Sequence, residues 1–502
     1  MLIAGAGPTG LVLALWLTRF GVRVRIIDRL AASGTTSRAL AVQGRTLEFY
    51  QQFGLAQAVI DRGHKVAGVN LWVKAKPVAR IPIGDLGQGL TPFPFPLIFP
   101  QDEHEALLIE RLGALGVEIE RQVELTNFEE SGAEIRATLR TGGSEEVGSY
   151  AYLAGCDGAR SRVREVLGAG FPGGTYDHLF YVADVEAAGP PMNGELHLDI
   201  DDADFLGVFP LRDSGKARLI GSVRDDVAKD HEHLEFEEVR GRSMQNLRIE
   251  VTHVNWFSTY RVHHRVAQQF RKGRAFLLGD AAHIHSPVGG QGMNTGIGDA
   301  VNLAWKLAAS LKEPRSSSLL DTYEPERIAF ARRLVATTDR AFTAVTSGTG
   351  FARFVRTRVI PAFAPALLRL PVVRRFAFRT VSQIAVSYRE SPLSRGEAGK
   401  LHGGDRLPWV KIGRSEEYNF AALSSMDWQI HVYGDPAPGL RALADGRKIP
   451  LHVFPWDADM RRPGLKRNAA YLIRPDGYIG LAESGGSASA IEAYLNEIVR
   501  PT

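Results

Sequence analysis

Gly5-Ala6-Gly7-Pro8-Thr9-Gly10 follows a short apolar run at residues 1–4 and leads into an apolar helical pattern over 11–20. Gly21 stops that helix, residues 22–27 read as a second strand, and Asp28 stands at its end. A G-x-G-x-x-G set between strand and helix, with an acid about 20 residues on, is the dinucleotide fingerprint. Its glycines permit a tight turn and let the backbone approach a pyrophosphate, whose charge the helix N-terminus favours. Asp28 is placed to accept hydrogen bonds from adenosine ribose hydroxyls, and Arg29 beside it joins the candidate set. The spacing predicts an α/β, Rossmann-like start.

Two further stretches share this grammar. Residues 275–278 form an apolar run ended by Gly279; Asp280 follows at the strand end. Pro287 then breaks the chain, and Gly289, Gly290 and Gly292 allow close backbone approach to something flat. A helical pattern runs from Met293 through Trp305 to Leu311, so the glycine turn stands at a helix N-terminus. The third stretch, Gly155-Cys156-Asp157-Gly158-Ala159-Arg160-Ser161-Arg162-Val163-Arg164, follows an apolar run at 150–154. Read alone, each is also an ordinary loop before a helix.

Together, in this order and spacing, they make the chain resemble the FAD-dependent aromatic hydroxylases of the para-hydroxybenzoate hydroxylase fold, over at least residues 1–330. The resemblance implies that the first fingerprint binds the ADP half of FAD. It assigns Gly279-Asp280 to the ribityl chain and Asp157-Gly158, with Arg160, to the handling of FAD and NAD(P)H. It adds Pro287, Gly290, Gln291, Gly292, Met293 and Asn294 around the flavin. Arg45 and Arg38 fall in a stretch, 37–46, that the family sets beside FAD, and Gln101 matches a family position against it. A solvated helix start remains an alternative for both arginines.

Residues 175–265 change to strand patterns at 179–185, 194–200, 205–210, 216–222 and 256–262, with a helix over 234–247. The resemblance makes this antiparallel sheet the roof of a substrate pocket, with Tyr181, His197, Phe205, Phe209 and Tyr260 as candidates to line it. The fold class is therefore α/β: a Rossmann-like FAD-binding domain (1–174 and 266–345), an antiparallel β-sheet substrate domain (175–265), a helical connector (346–400) and a thioredoxin-like C-terminal domain (401–502). Residues 319–327 are expected to tie their helix to the FAD domain through ion pairs. Residues 351–380 hold seven arginines and no acid; helices packed on the body with arginines outward are expected, a membrane surface being the alternative. The last hundred residues contain no cysteine, which leaves a structural or homodimer-forming role, separable from flavin binding.

At 502 residues and 44% hydrophobic, the chain has room for two or three domains. A net charge of +4 suits anionic cofactors and falls short of a nucleic-acid signal. One cysteine excludes an internal disulfide or a zinc site built on cysteine pairs. No secretory leader or apolar run of about 18 residues is legible, so a cytoplasmic protein without a transmembrane segment is expected. The start is abrupt, with Met1 almost inside the first strand.

By resemblance, NAD(P)H reduces the flavin, O2 adds at C4a, and the hydroperoxide transfers an electrophilic OH to an electron-rich aromatic, phenolic or polyketide-like substrate. The sequence names no catalytic base; His283 and His285 lie beside the flavin loop and equally fit structural roles. Rival readings are a Baeyer–Villiger or epoxidising oxygenase on the same scaffold, or a flavin-holding binding protein.

Overall fold

Strands Leu2–Ala4, Leu153–Gly155 and Ala275–Leu277 are apolar and buried at every position, as expected where a parallel sheet is covered on both faces. They are neighbours in a six-stranded sheet ordered Arg271–Lys272, Ala275–Leu277, Leu153–Gly155, Leu2–Ala4, Arg25–Asp28, Ile119–Arg121. All its pairs are parallel except the first hairpin. The helix Pro8–Arg19 is buried along Leu11–Leu17 because it lies among the sheet, helix Gln101–Ala114 and helix Gly292–Lys312. In this computed structural model the described residues are 1–498, without 35–38, 74–75, 201–204, 224–233, 241, 287, 347–357, 360–362, 364–365, 368–369 and 414–416.

The second sheet has eight strands, built on the long antiparallel pair Gly173–Ala188 and Glu250–Val266. Both strands outrun the expected spans; in Glu250–Val266 polar residues such as Thr252, His263 and His264 occupy the added ends. The sheet also takes in Gly68–Val73 and Lys76–Pro82 at one edge and His283–Ile284 at the other, all outside 175–265. The last of these hydrogen-bonds the sheet to the segment that follows Gly279, through Arg265↔Ile284 and Val266↔His283. Two short helices, Phe236–Val239 and Arg242–Asn246, replace the single helix expected over 234–247. A three-stranded meander, Val123–Ser131, Glu134–Thr141 and Ser144–Tyr150, returns the chain to Leu153.

Near the end of the chain four strands, ordered Leu451–Phe454, Gln429–Tyr433, Ala470–Ile473, Ile479–Glu483, form a separate sheet with an apolar cluster on each face. The sheet is joined to the body by buried charge. Arg474 donates to both oxygens of Glu326 (2.8 and 3.0 Å) and to Asp476 (2.6 and 3.0 Å). Glu326, in helix Tyr323–Thr346, also accepts from Lys306 (2.8 Å), Asn302 (2.6 Å) and Ser391 (2.6 Å). A second joint pairs Arg406 with Glu48, which also accepts from Arg45 (2.8 Å) and Thr91 (2.6 Å). Burial alone would raise the Glu326 carboxyl; Arg474 and Lys306 overcome it and hold the group well below the carboxylate range. Burial also brings the Lys306 ammonium down to about 8.

The tail supplies cations to Glu326 and Glu48, so its removal leaves two buried carboxylates short of partners. Over 351–380, the described helix Pro371–Val381 buries Phe378 alone, and Val372 and Phe376 face solvent together with arginines.

Arg474→Met should destabilise the holoprotein by about 3–5 kcal/mol, the cost of leaving a buried carboxylate short of its partner. Glu326 has a depressed folded pKa, so its contribution is present above the unfolded carboxylate value and is lost as pH falls through the folded one. Without Arg474, burial raises that folded value, and the acid-unfolding midpoint should move to higher pH. Urea and acid titrations followed by tryptophan fluorescence measure both; an unchanged midpoint in both would show that the joint contributes nothing.

Candidate functional site

Because the three glycine-bearing turns follow three neighbouring parallel strands, they converge at the carboxyl edge of the six-stranded sheet, where such sheets bind ligands. The glycines divide by function. Gly5 has φ +102°, and a Cβ on it would lie 2.2 Å from the Cys156 carbonyl oxygen. A Cβ on Gly10 would meet the Gly5 oxygen at 2.0 Å. Gly7 has ordinary extended backbone and nothing within 4 Å of its Cβ position. Two glycines are thus required by the protein's own packing, and the middle one faces open space. Helix Pro8–Arg19 starts there with no side-chain cap, leaving its first-turn N–H groups for a ligand. Asp28 accepts from the N–H of Ala6 (2.7 Å) and Leu30 (2.8 Å), bracing the turn; Arg29 is exposed beside it.

The second turn carries Asp157, whose Oδ2 accepts from the Val163 N–H (3.0 Å). Its Oδ1 is enclosed without a donor, and burial raises the carboxyl. Gly158 has φ +77° with open space around it, and Arg160 is exposed with no ion pair among the described residues. Arg164 is buried instead; it donates to the carbonyls of Ala281 (2.9 Å) and Ala159 (2.8 Å) and stacks on Phe171, tying this turn to the next. Cys156 is buried, which pushes its thiol up.

The third turn contacts the first through Thr9: a Cβ on Gly279 would come within 2.6 Å of its hydroxyl, and one on Gly296 within 2.3 Å. Asp280 is exposed at the rim. The Gly279 N–H is held by Asp299 (3.0 Å), which also accepts from His283 Nε2 (2.7 Å) and Arg327 (2.6 Å). Burial would raise Asp299, and Arg327 and His283 keep it low. His283 is therefore a positioning residue in this buried trio. His285 differs. Its Nδ1 donates to the Ser286 carbonyl (2.8 Å), burial lowers the ring to about 4, and its Nε2 is enclosed with no donor near Gly292. The neutral ring presents an acceptor nitrogen. Helix Gly292–Lys312 begins here, again without a side-chain cap. Met293 is half-buried against the core, and Gln291 is buried, its carbonyl accepting from Thr295 (2.9 Å) and Gln383 (3.3 Å).

Three expected side-chain contacts with the cofactor are taken up by the protein. Asn294 uses its amide fully: its oxygen accepts from the Gln43 N–H (2.9 Å) and Thr46 (2.7 Å), and its nitrogen donates to the carbonyls of Ala41 (2.8 Å) and Gly290 (2.9 Å). It clasps segment 41–46 to the flavin-loop helix. Arg45 is buried against Glu48, the Asp476 carbonyl (2.7 Å) and the Phe49 ring, so it belongs to the joint with the C-terminal sheet. The Gln101 amide donates to Glu105 (2.7 Å), while its N–H meets the Ala39 carbonyl (3.2 Å) at the edge of the site. Arg38 and Pro287 lie outside the described residues.

The eight-stranded sheet turns one face towards residues 39–42 and 98, where Leu40 and Ile98 cluster with Phe209 and Ile220. Phe205 and Phe209 share that side by alternation, and Tyr260 packs with Phe180. Arg218, bidentate to Asp184 (2.6 Å each), approaches Ala39 from the same face. Tyr181 and His197 point the other way. Tyr181 lies in the outer core with Phe257, and His197 is bonded on both nitrogens, by Trp72 (3.0 Å) and Asn193 (2.8 Å). Phe180, Asp184 and Arg218 are the inner-face residues that sequence reasoning missed; shifting the strand reading by one residue from Tyr181 would have found the first two.

A cradle of two uncapped helix starts, an open glycine and an orphaned carboxylate oxygen defines a dinucleotide-cofactor protein. Residues 1–338 match the family model described as FAD binding domain. The chain is 34% identical over 533 residues to 6-methylpretetramide 4-monooxygenase of Streptomyces rimosus, covering 99% of this chain and 93% of that protein. It is 29% identical over 501 residues to dialkyldecalin synthase of Streptomyces rugosporus, covering 99% and 98%. Its structure superimposes on OxyS anhydrotetracycline hydroxylase from Streptomyces rimosus with a TM-score of 0.80 at 28% identity, covering 100% and 99%. The chain belongs to the FAD-dependent aromatic hydroxylases and is a flavin monooxygenase.

Gly7→Val should leave thermal unfolding of the apoprotein within about 0.5 kcal/mol of the parent, as for a substitution in open space, and abolish FAD uptake. Gly5→Ala should instead lower stability, because the new carbon meets backbone. FAD titration of the apoproteins and thermal melts separate the two; FAD binding by Gly7→Val at parental affinity would remove Gly7 from the cradle.

Proposed function

We propose that this protein hydroxylates a polycyclic, polyketide-like phenolic substrate, using FAD and a nicotinamide reductant, NAD(P)H. The observation that carries this is the convergence of all three glycine turns at one sheet edge, facing the inner side of the eight-stranded sheet. The relatives that act on pretetramide and anhydrotetracycline support the substrate class.

FAD, when bound, supplies two-electron chemistry and oxygen activation. The chain's residues hold it and shape what approaches. The helix starts at Pro8 and Gly292 favour negative charge, first on a pyrophosphate and then on the reduced ring. Asp28 and Asp280 accept from ribose and ribityl hydroxyls. Gly158, the Asp157 oxygen and the exposed Arg160 serve the cofactor and the reductant. Phe180, Phe205, Phe209 and Tyr260 wall an apolar substrate space, and neutral His285 offers one acceptor at the flavin end. The layout is a Rossmann-like FAD domain in two segments, an antiparallel substrate domain and a thioredoxin-like tail; without cysteine the tail has no thiol chemistry and serves as a brace.

The similarity to a dialkyldecalin synthase favours one second reading, a flavin-holding protein that forms a ring without oxygenation. The purified protein should be yellow and release FAD on acid treatment. Phenolic polycycles should stimulate NADPH oxidation, with one oxygen atom from labelled O2 appearing in the product. Product formed with no oxygen uptake would move the assignment to the second reading. Asp280→Ala should weaken FAD binding roughly tenfold to hundredfold, the effect of an acceptor withdrawn from ligand hydroxyls; an unchanged affinity would remove Asp280 from the site.

A further inference from the structure

Helix Pro371–Val381 presents an outward face that no described residue covers. Phe378 is its one buried side chain, set against Gly87 and Gly44. With 3.6 residues per turn, Val372, Arg375, Phe376 and Arg379 gather on the opposite side. Val372 is 79% exposed and Phe376 72%. Of eleven exposed large hydrophobic residues among those described, six fall between 363 and 381: Phe363, Leu367, Leu370, Val372, Phe376 and Val381. Concentration of that kind marks an interaction site, whereas scattered single residues do not.

The charges have one sign. No Asp or Glu occurs from 351 to 389. Arg374 is paired with Asp85 (2.5 Å), whereas among the described residues Arg375 and Arg379 make no direct ion pair, Arg379 feeling Asp405 only at longer range. The nearby acids are taken, Asp405 by Arg389 and Glu48 by Arg406. Two unpaired guanidiniums beside protruding apolar side chains match a surface with phosphates above and hydrocarbon below.

We propose that this face docks reversibly on an anionic phospholipid surface. Val372 and Phe376 enter the headgroup layer, and Arg375 and Arg379 meet lipid phosphates. A fluid layer accommodates side chains that stand so far out of the helix, where a protein partner would need a matching groove. No helix among the described residues is long and apolar enough to cross a membrane, so the contact is peripheral. It places an enzyme for apolar aromatic substrates beside the phase in which such compounds accumulate, although the docking itself does not depend on that activity.

The test is co-sedimentation of the full-length holoprotein with vesicles of phosphatidylcholine alone or mixed with phosphatidylglycerol. The protein should sediment with the anionic vesicles, not with the neutral ones, and progressively less as salt rises. Arg375→Gln/Arg379→Gln should weaken the partition roughly tenfold to thirtyfold, the effect of two lost lipid contacts. Val372→Ser/Phe376→Ser should also weaken it, with flavin content and melting temperature unchanged in both variants. Failure to sediment with anionic vesicles, or binding undiminished in both variants, overturns the proposal. A shift from dimer to monomer in the serine variant, seen by analytical ultracentrifugation, also overturns it and gives the face to a second copy of the chain.

Discussion

Two consecutive residues, Glu326 and Arg327, connect the parts of this molecule. Arg327 reaches Asp299, which holds the Gly279 N–H and His283 behind the flavin turn. Glu326, next in sequence, receives Arg474 from the C-terminal sheet and Lys306 from the flavin-loop helix. Arg327 also donates to the Tyr388 hydroxyl (2.8 Å), in the segment that leads to the C-terminal sheet. Buried charge of this kind is costly unless every partner is present, so the arrangement makes assembly of the tail and shape of the cofactor turn interdependent. A hydrophobic seam of similar area would hold the sheet as firmly with less demand on register.

The cofactor edge obeys a second constraint, crowding. Three turns from distant parts of the sequence come so close that Gly5, Gly10, Gly279 and Gly296 each exclude a Cβ. At Gly7 and Gly158, by contrast, the protein leaves open space where a side chain would stand. The same residue type thus answers two questions, and only coordinates tell which.

That distinction explains what was legible in the sequence. The three turns, the parallel sheet beneath them and the ion-pairing role of residues 319–327 follow from local signals: apolar runs, glycine spacing, an acid at a strand end. Strand parity was not legible in the substrate sheet, because both faces of Gly173–Ala188 are buried and aromatic character alone cannot orient Tyr181 or His197. Arg45 and Asn294 were placed with the cofactor by resemblance; their bonds to Asp476 and Ala41 are set by tertiary contacts that the sequence does not show. His283 lies in the strand His283–Ile284 and His285 just past its end, and only the position of Asp299 distinguishes their roles. The buried joints of the tail rest on single charged residues that look, in sequence, like solvated surface.

The sole cysteine has a bearing on durability. Oxygenases that activate O2 release peroxide whenever reduction and transfer fall out of step, and the group in a protein that peroxide attacks first is an accessible thiolate. Here that group occurs once, sealed beneath the first glycine turn and kept protonated by its surroundings. A flavin monooxygenase so composed offers peroxide no accessible thiolate beside its glycine turns.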